Sequence, residues 1–197
     1  MHESWMLKDA DKRMLSELAS FCTESVWDSH SHIYRRSDLG SDISDFLSNG
    51  PETCGIGAWR ESMAAIHGSD HIIGGLFFPY PAASCDAKKA NNFLLGELSK
   101  ESSCRGGVLV TPSMTEGDIE SFIDNPRIVA LKPYHVFSNQ KPSFDSTISG
   151  FLTKGMLEVA HRHSLAIVLH LVRKAALADP ENLKEIIAIS KKYQNVK

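Results

Sequence analysis

The sequence predicts an α/β fold built on a parallel sheet. Three observations carry that reading: apolar runs that are continuous rather than alternating, helical segments between them, and 197 residues, enough for one domain with a sizeable core. A strand buried on both faces reads as an unbroken apolar run, and helical crossovers are what cover both faces. Five such runs are centred near residues 28, 74, 109, 130 and 168.

In chain order, residues 9–22 predict a first helix, with Met14, Leu15, Leu18 and Phe21 at helical spacing and Asp9 or Asp11 as its cap. Residues 25–34 (SVWDSHSHIY) predict the first strand, running into polar residues. Residues 35–54 are rich in Gly, Ser and Asp and read as an excursion with one helical turn near 43–47. A short helix over 58–67 is stopped by Gly68, and a strand over 71–78 (HIIGGLFF) is cut off by Pro79 and Pro81. A helix over 84–100 takes Ser84 as N-cap with Asp86 in its first turn. A strand at 107–111 (GVLVT) follows, then a helix over 115–123 opened by Thr115 and Asp118 at capping-box spacing. A strand at 128–132 (IVALK) precedes a Pro-containing loop. Residues 149–163 predict a helix with Phe151, Leu152, Met156, Leu157, Val159 and Ala160 apolar, and 165–171 (LAIVLHL) a fifth strand. Asp179-Pro180-Glu181 is a helix start, with N-cap, N1 proline and early acid, for a helix reaching about Tyr193.

Five strands fit an open flavodoxin-like sheet or a (β/α)8 TIM-type barrel, which typically needs about 250 residues. The first strand is followed by HSHIYRRSD, with no glycine-rich phosphate loop, which disfavours the open sheet. Asn195-Val196-Lys197 resembles the first residues of a sixth strand. The expectation is therefore a barrel truncated after about five β/α units, with residues 1–24 as a lead-in and 25–197 as the barrel portion. The exposed edge of its fifth strand is expected to favour association, including homo-oligomers.

Composition removes several classes of function. With 21 Lys+Arg against 24 Asp+Glu and a net charge of −3, the chain lacks the basic excess of a nucleic-acid binder. Its 42% hydrophobic and 23% charged residues are ordinary for a globular protein. No apolar run approaches the roughly 18–20 residues that span a bilayer. The opening MHESWMLKDADKR has no apolar signal region, so a cytoplasmic location is expected, with Cys22, Cys54, Cys85 and Cys104 as reduced thiols. No two cysteines are spaced as zinc-ribbon ligands.

Chemistry concentrates at the carboxyl ends of the strands, where parallel barrels build their sites. His30 and His32 are two apart on a strand, so their imidazoles share a face and form a partial ligand set for Zn, Mn, Fe or Ni. The second such pair, His161 and His163, falls at a helix end on the opposite rim, where a polar, cationic helix terminus explains it. His170 ends its apolar strand on the face of Ala166 and Val168, an unusual place for an ionisable group unless it is paired or ligating. Lys132 ends its own strand, inward with Ile128 and Ala130. It is a candidate to bind a carboxylate, act as a base or, carboxylated, bridge metals. Tyr134 and His135 follow at the same mouth as substrate contacts, and Arg35 is a candidate to hold an anionic substrate. Asp28 is expected on the inward face one layer deeper, bonding a ligand histidine, Lys132 or a backbone amide.

Taken together, WDSHSHIY, VALKPYH and IVLHLVR, with GGLFFPYP and the helix around Ala90-Asn91-Asn92-Phe93, resemble the amidohydrolase superfamily. The likeness is to its amidohydrolase-related branch, which includes aminocarboxymuconate semialdehyde decarboxylase, and it covers roughly residues 25–197. The resemblance implies a divalent metal, usually Zn2+, held by His30, His32 and His170, with Lys132 catalytic or substrate-binding. It implies metal-assisted hydrolysis of a small organic molecule. The family's sixth-strand histidine and eighth-strand aspartate, its general base, fall beyond the five units expected here. Two alternatives follow: a non-oxidative decarboxylase on the same ligands, and an inert barrel fragment that only binds or assembles.

Overall fold

The computed structural model describes residues 7–18, 21, 24–41 and 43–197. Its six-stranded sheet has the order β2-β1-β3-β4-β5-β6. The strands are β1 (Val26–Arg35), β2 (Thr53–Cys54), β3 (Ile72–Pro79), β4 (Arg105–Val110), β5 (Ile128–Pro133) and β6 (Ala166–Ile167). All neighbours except β2 pair in parallel and in sequence order, as expected of a barrel wall. The helices are α1 (Asp9–Leu18), α2 (Asp45–Ser48), α3 (Ile56–His67), α4 (Ala87–Leu98), α5 (Glu116–Ile123), α6 (Lys154–His163) and α7 (Pro180–Lys192). No helix among the described residues is long and apolar enough to cross a membrane.

The five apolar runs all appear in the sheet. The additional strand, β2, is two residues long and pairs antiparallel with the end of β1, Tyr34 opposite Cys54 and Arg35 opposite Thr53. Two residues carry no readable period, and they sit inside the polar excursion. The fifth run is corrected in length. Only Ala166–Ile167 form ladder, and after Val168 N donates to Leu131 O (3.0 Å) the chain leaves β5. On the far edge of β6, Lys197 N donates to Leu165 O (3.2 Å) and Ile167 N donates to Lys197 O (3.0 Å). That pair of bonds is a parallel bridge, so Lys197 sits where the sequence placed the start of a next strand.

Helix starts follow their caps. Thr115 and Asp118 form the expected capping box of α5, and Asp179 accepts from the amides of Glu181 and Asn182 ahead of Pro180. α4 begins later than expected. Its cap is Asp86, which accepts from Lys89 N, while the Ser84 hydroxyl donates to Leu39 O at 3.0 Å. α6 also starts later, at Lys154 under a Thr153 cap, because Ile148–Gly150 forms a 3-10 turn. α1 spans Asp9–Leu18 and buries none of its residues; of its expected continuation, residues 19, 20 and 22 lie outside the described residues, and Phe21 is an exposed turn residue.

Phe77, Leu94, Leu98, Val108, Leu131 and Met156 anchor the main core between sheet and helices. Trp27, Ile73 and Val129, all exposed, mark the sheet surface that the helices leave uncovered.

Two local devices shape the carboxyl end of the sheet. First, β3 and β4 pair only at Leu76–Arg105 and Phe77–Gly106, then splay. The buried Asn91 of α4 fills the gap: its Nδ2 donates to Leu109 O (2.9 Å) and its Oδ1 accepts from Leu109 N (2.8 Å). Second, Gly107 of β4 lies under Phe78. A Cβ there would overlap the Phe78 ring and sit 3.1 Å from Ala130 Cβ. Gly107→Ala is expected to cost roughly 1–3 kcal/mol by overpacking, read as a lower midpoint at unchanged slope in urea unfolding.

Candidate functional site

The site is built on β1, β3 and β5 and the segment leaving β6. In β1, Asp28 pairs with Gly75 and Ser31 with Phe77, so three steps on β1 oppose two on β3. This β-bulge adds a residue and changes which side chains share a face. His30 and His32 lie over Phe78, with ring centroids 4.8 and 6.1 Å from it. Their Nε2 atoms are 3.4 Å apart. His32 Nδ1 donates to Pro79 O (3.3 Å), which makes its Nε2 the nitrogen that carries the lone pair.

The bulge corrects the expectation for Asp28. Its carboxylate does not share the imidazole face; it accepts from Trp59 Nε1 of α3 (2.8 Å), His30 N (3.0 Å) and the Ser31 hydroxyl. Of the three expected roles, the backbone-amide one holds. Asp28 fixes the backbone that presents His30, and these hydrogen bonds outweigh burial in holding its pKa below the usual carboxylate value.

Lys132, at the end of β5, is 2% exposed. Among the described residues it makes no ion pair. Its Nζ stands 5.4 Å from the Phe78 ring centroid and 5.5 Å from that of Tyr134. Burial lowers its pKa to about 8. On its far side is a second stack. The Tyr134 ring lies 4.4 Å from His170, and its hydroxyl is 3.4 Å from His170 Nε2. His135 is buried, 5.3 Å from His170 and 4.6 Å from Phe144, and its Nδ1 has no hydrogen-bond partner among the described residues.

Burial shifts every imidazole of the rim toward its neutral form. Burial, then the neighbouring His30, bring His32 down to about 4. Burial lowers His30 and His170 too, with Lys132 adding to each, and lowers His135, with His170 adding. Neutral imidazole is the ligating form.

The structure thus brings His30, His32, Lys132, Tyr134, His135 and His170 to one rim. It does not bring Arg35 there. Arg35 Nε is held by Asp38 (2.9 Å) and its guanidinium lies 5.1 Å from the Phe93 ring of α4. His161 and His163 sit on the opposite flank, His161 Nδ1 accepting from Asn195 N and His163 3.7 Å from Glu120, within an Arg162–Glu116–Glu120 network. The sequence reading missed Asn91 as the bond that holds Leu109 at the splayed rim; two adjacent asparagines in an amphipathic helix were the available signal.

A cavity of about 630 Å³ opens beside the rim, lined in part by Asp86, Lys88, Ser113, Asp118 and Lys141. It includes none of the imidazoles, and its Lys88 and Asp118 pair with each other at 2.6 Å.

The donor set can be tested against a divalent cation. Two nitrogens at 2.0–2.1 Å from a tetrahedral centre stand about 3.4 Å apart. The His30–His32 separation of 3.4 Å meets that edge. His170 does not complete it: its Nε2 is on Tyr134, and among the described residues no three His, Cys, Asp or Glu side chains converge on one point. Of the expected trio, His30 and His32 form a pair at that spacing, and His170 is held against Tyr134.

No family model matches the sequence. No curated protein matches it either. Among solved structures, the chain is similar to a 2.4 Å crystal structure of dihydroorotase from Campylobacter jejuni, at 17% identity and a TM-score of 0.45. The likeness covers 88% of this chain and 46% of that one, so the chain spans less than half the length of this neighbour.

Proposed function

We propose that this rim is part of a metal-dependent hydrolase site of the amidohydrolase type, acting on a small organic substrate that carries a carboxylate. The observation that carries the reading is the His30–His32 pair, two Nε2 atoms at ligand-edge spacing with one tautomer fixed by Pro79 O. His30 and His32 would hold the cation, zinc being the natural partner of imidazole donors. When bound, such a cation supplies Lewis-acid polarisation of the scissile group and a more acidic water.

The chain's own residues supply the rest. Lys132 is a buried ammonium without a counter-charge among the described residues, and a substrate carboxylate meets that need with a charge-assisted hydrogen bond. Phe78 and Tyr134 wall the position and limit water around it. Tyr134 and His135 extend the wall from the β5 side. Asp28, turned toward Trp59, is not available as proton acceptor, so a general base for hydrolysis must come from another group.

The test is metal binding by the purified chain, titrated with Zn2+ or Co2+ after chelation. One equivalent is expected, and His30→Ala and His32→Ala are each expected to weaken it by about 100-fold or more, while Arg35→Ala leaves it unchanged. A wild-type chain that binds no metal, or binds it equally without His30, sinks the reading. Where turnover is found, CO2 release in place of water incorporation would move the assignment to a decarboxylase.

A further inference from the structure

The third imidazole is occupied. His170 Nε2 stands 3.4 Å from the Tyr134 hydroxyl, and the two rings stack at 4.4 Å. His170 is exposed and lies on a stretch beyond the sheet ladder. The ladder between β5 and β6 ends before it, with Val168 N on Leu131 O the last tie on one side. On the other side the buried Asn182 donates to Val172 O at 2.9 Å. Residue 170 is the middle of the five-residue stretch between those anchors, and its side chain is exposed. Tyr134 is held at its own place by the end of β5 and by stacking on His135, 5.0 Å away.

We propose that Tyr134 is a positioning residue that sets the metal affinity of the rim by holding His170 away from the His30–His32 pair. The proposal rests on the metal reading given above. With Tyr134 engaged, the chain offers two imidazole donors. When His170 releases the hydroxyl and turns, it offers three, the number a catalytic zinc site takes from protein before adding solvent or substrate. The cation must then compete with the hydroxyl for Nε2, and apparent affinity falls by the share of molecules in which His170 is so held. A neutral hydrogen bond of ordinary net strength makes that share worth about three- to tenfold in affinity.

A double-mutant cycle in metal affinity tests this on the chain itself, with Zn2+ and Co2+ as probes. Tyr134→Phe keeps the ring stack and removes the hydroxyl; it is expected to tighten binding about three- to tenfold. His170→Ala is expected to weaken binding about tenfold or more, and Tyr134→Phe in the His170→Ala background to change nothing. Unchanged or weaker binding in Tyr134→Phe overturns the proposal, as does a gain that persists without His170. A metal-free measurement separates this from the reading it rests on. The ring 15N shifts of His170 are expected to move in Tyr134→Phe, whether or not metal binds. If they stay in place, the hydroxyl does not hold His170 and the proposal fails alone. If they move but His30→Ala leaves metal binding intact, the metal reading fails, and the proposal falls with it.

Discussion

Lys132→Met is expected to make the protein more stable, by about 2–3 kcal/mol at neutral pH. Lys132 is 2% exposed, and burial has brought its pKa to about 8 from an ordinary value near 10.4. A tenfold change in proton affinity is worth about 1.4 kcal/mol, so keeping the ammonium charged inside the fold costs about 3 kcal/mol. Methionine fills nearly the same volume, and its sulfur suits the Phe78 and Tyr134 rings. The lost cation–π attraction subtracts about 0.5–1 kcal/mol. For a chain of this size the gain corresponds to roughly 5–10 °C in Tm.

The pH dependence has a definite sign. Between about 8 and 10.4 the unfolded chain holds the lysine proton and the folded chain does not, so wild-type stability rises with pH across that window. The advantage of Lys132→Met is therefore full below about pH 8 and fades toward pH 10.4. Urea unfolding at pH 7 and pH 10 checks it; a variant less stable than wild type at pH 7 would mean that the buried ammonium is stabilised more than burial and the two rings account for. The same substitution is expected to abolish selectivity for carboxylate ligands while leaving metal stoichiometry intact, the signature of a group retained for function against stability.

Asn91→Leu, a change in α4, is expected to damage the sheet severely, costing about 2–5 kcal/mol. Asn91 is fully buried and serves both the N–H and the C=O of Leu109, where β3 and β4 have parted. Leucine keeps the volume but leaves two buried backbone groups without partners, each costing about 1–3 kcal/mol. Hydrogen exchange should locate the loss: the Leu109 amide is expected to lose protection first. An Asn91→Leu chain with wild-type stability and a protected Leu109 amide would show that β3 and β4 can close the gap unaided. Asn91→Asp is the useful companion: it retains the acceptor for Leu109 N, but it sets an oxygen against Leu109 O and buries a carboxyl group.

The apolar runs around Phe77, Val108 and Leu131 and the caps at Thr115 and Asp179 were legible because each depends on residues close in sequence. So was the gathering of His30, His32, Lys132, Tyr134, His135 and His170 on one rim. Each ends or follows a run, and parallel strands put all such ends on one side. Ser84 was misread as a cap because two candidate oxygens stood two residues apart, and only the Leu39 carbonyl across the fold decided between them.

By itself the sequence determined the five parallel strands, their order and the six residues at the rim, though not β2 or the place of Arg35, because burial on both faces and helix capping are written in local composition. Tertiary structure decided which way the side chains turn. The bulge between Asp28 and Ser31 exists only in register with Gly75 and Phe77, and it sent Asp28 to Trp59 while leaving His30 beside His32. Arg35 was drawn to Asp38 and Phe93, and His170 to Tyr134, by partners 3 to 58 residues distant in the chain. Period-two reasoning assigns faces only while the ladder is unbroken. Where a bulge, a splay or a strand end interrupts it, the partner across the fold sets the direction, and no local pattern records that partner.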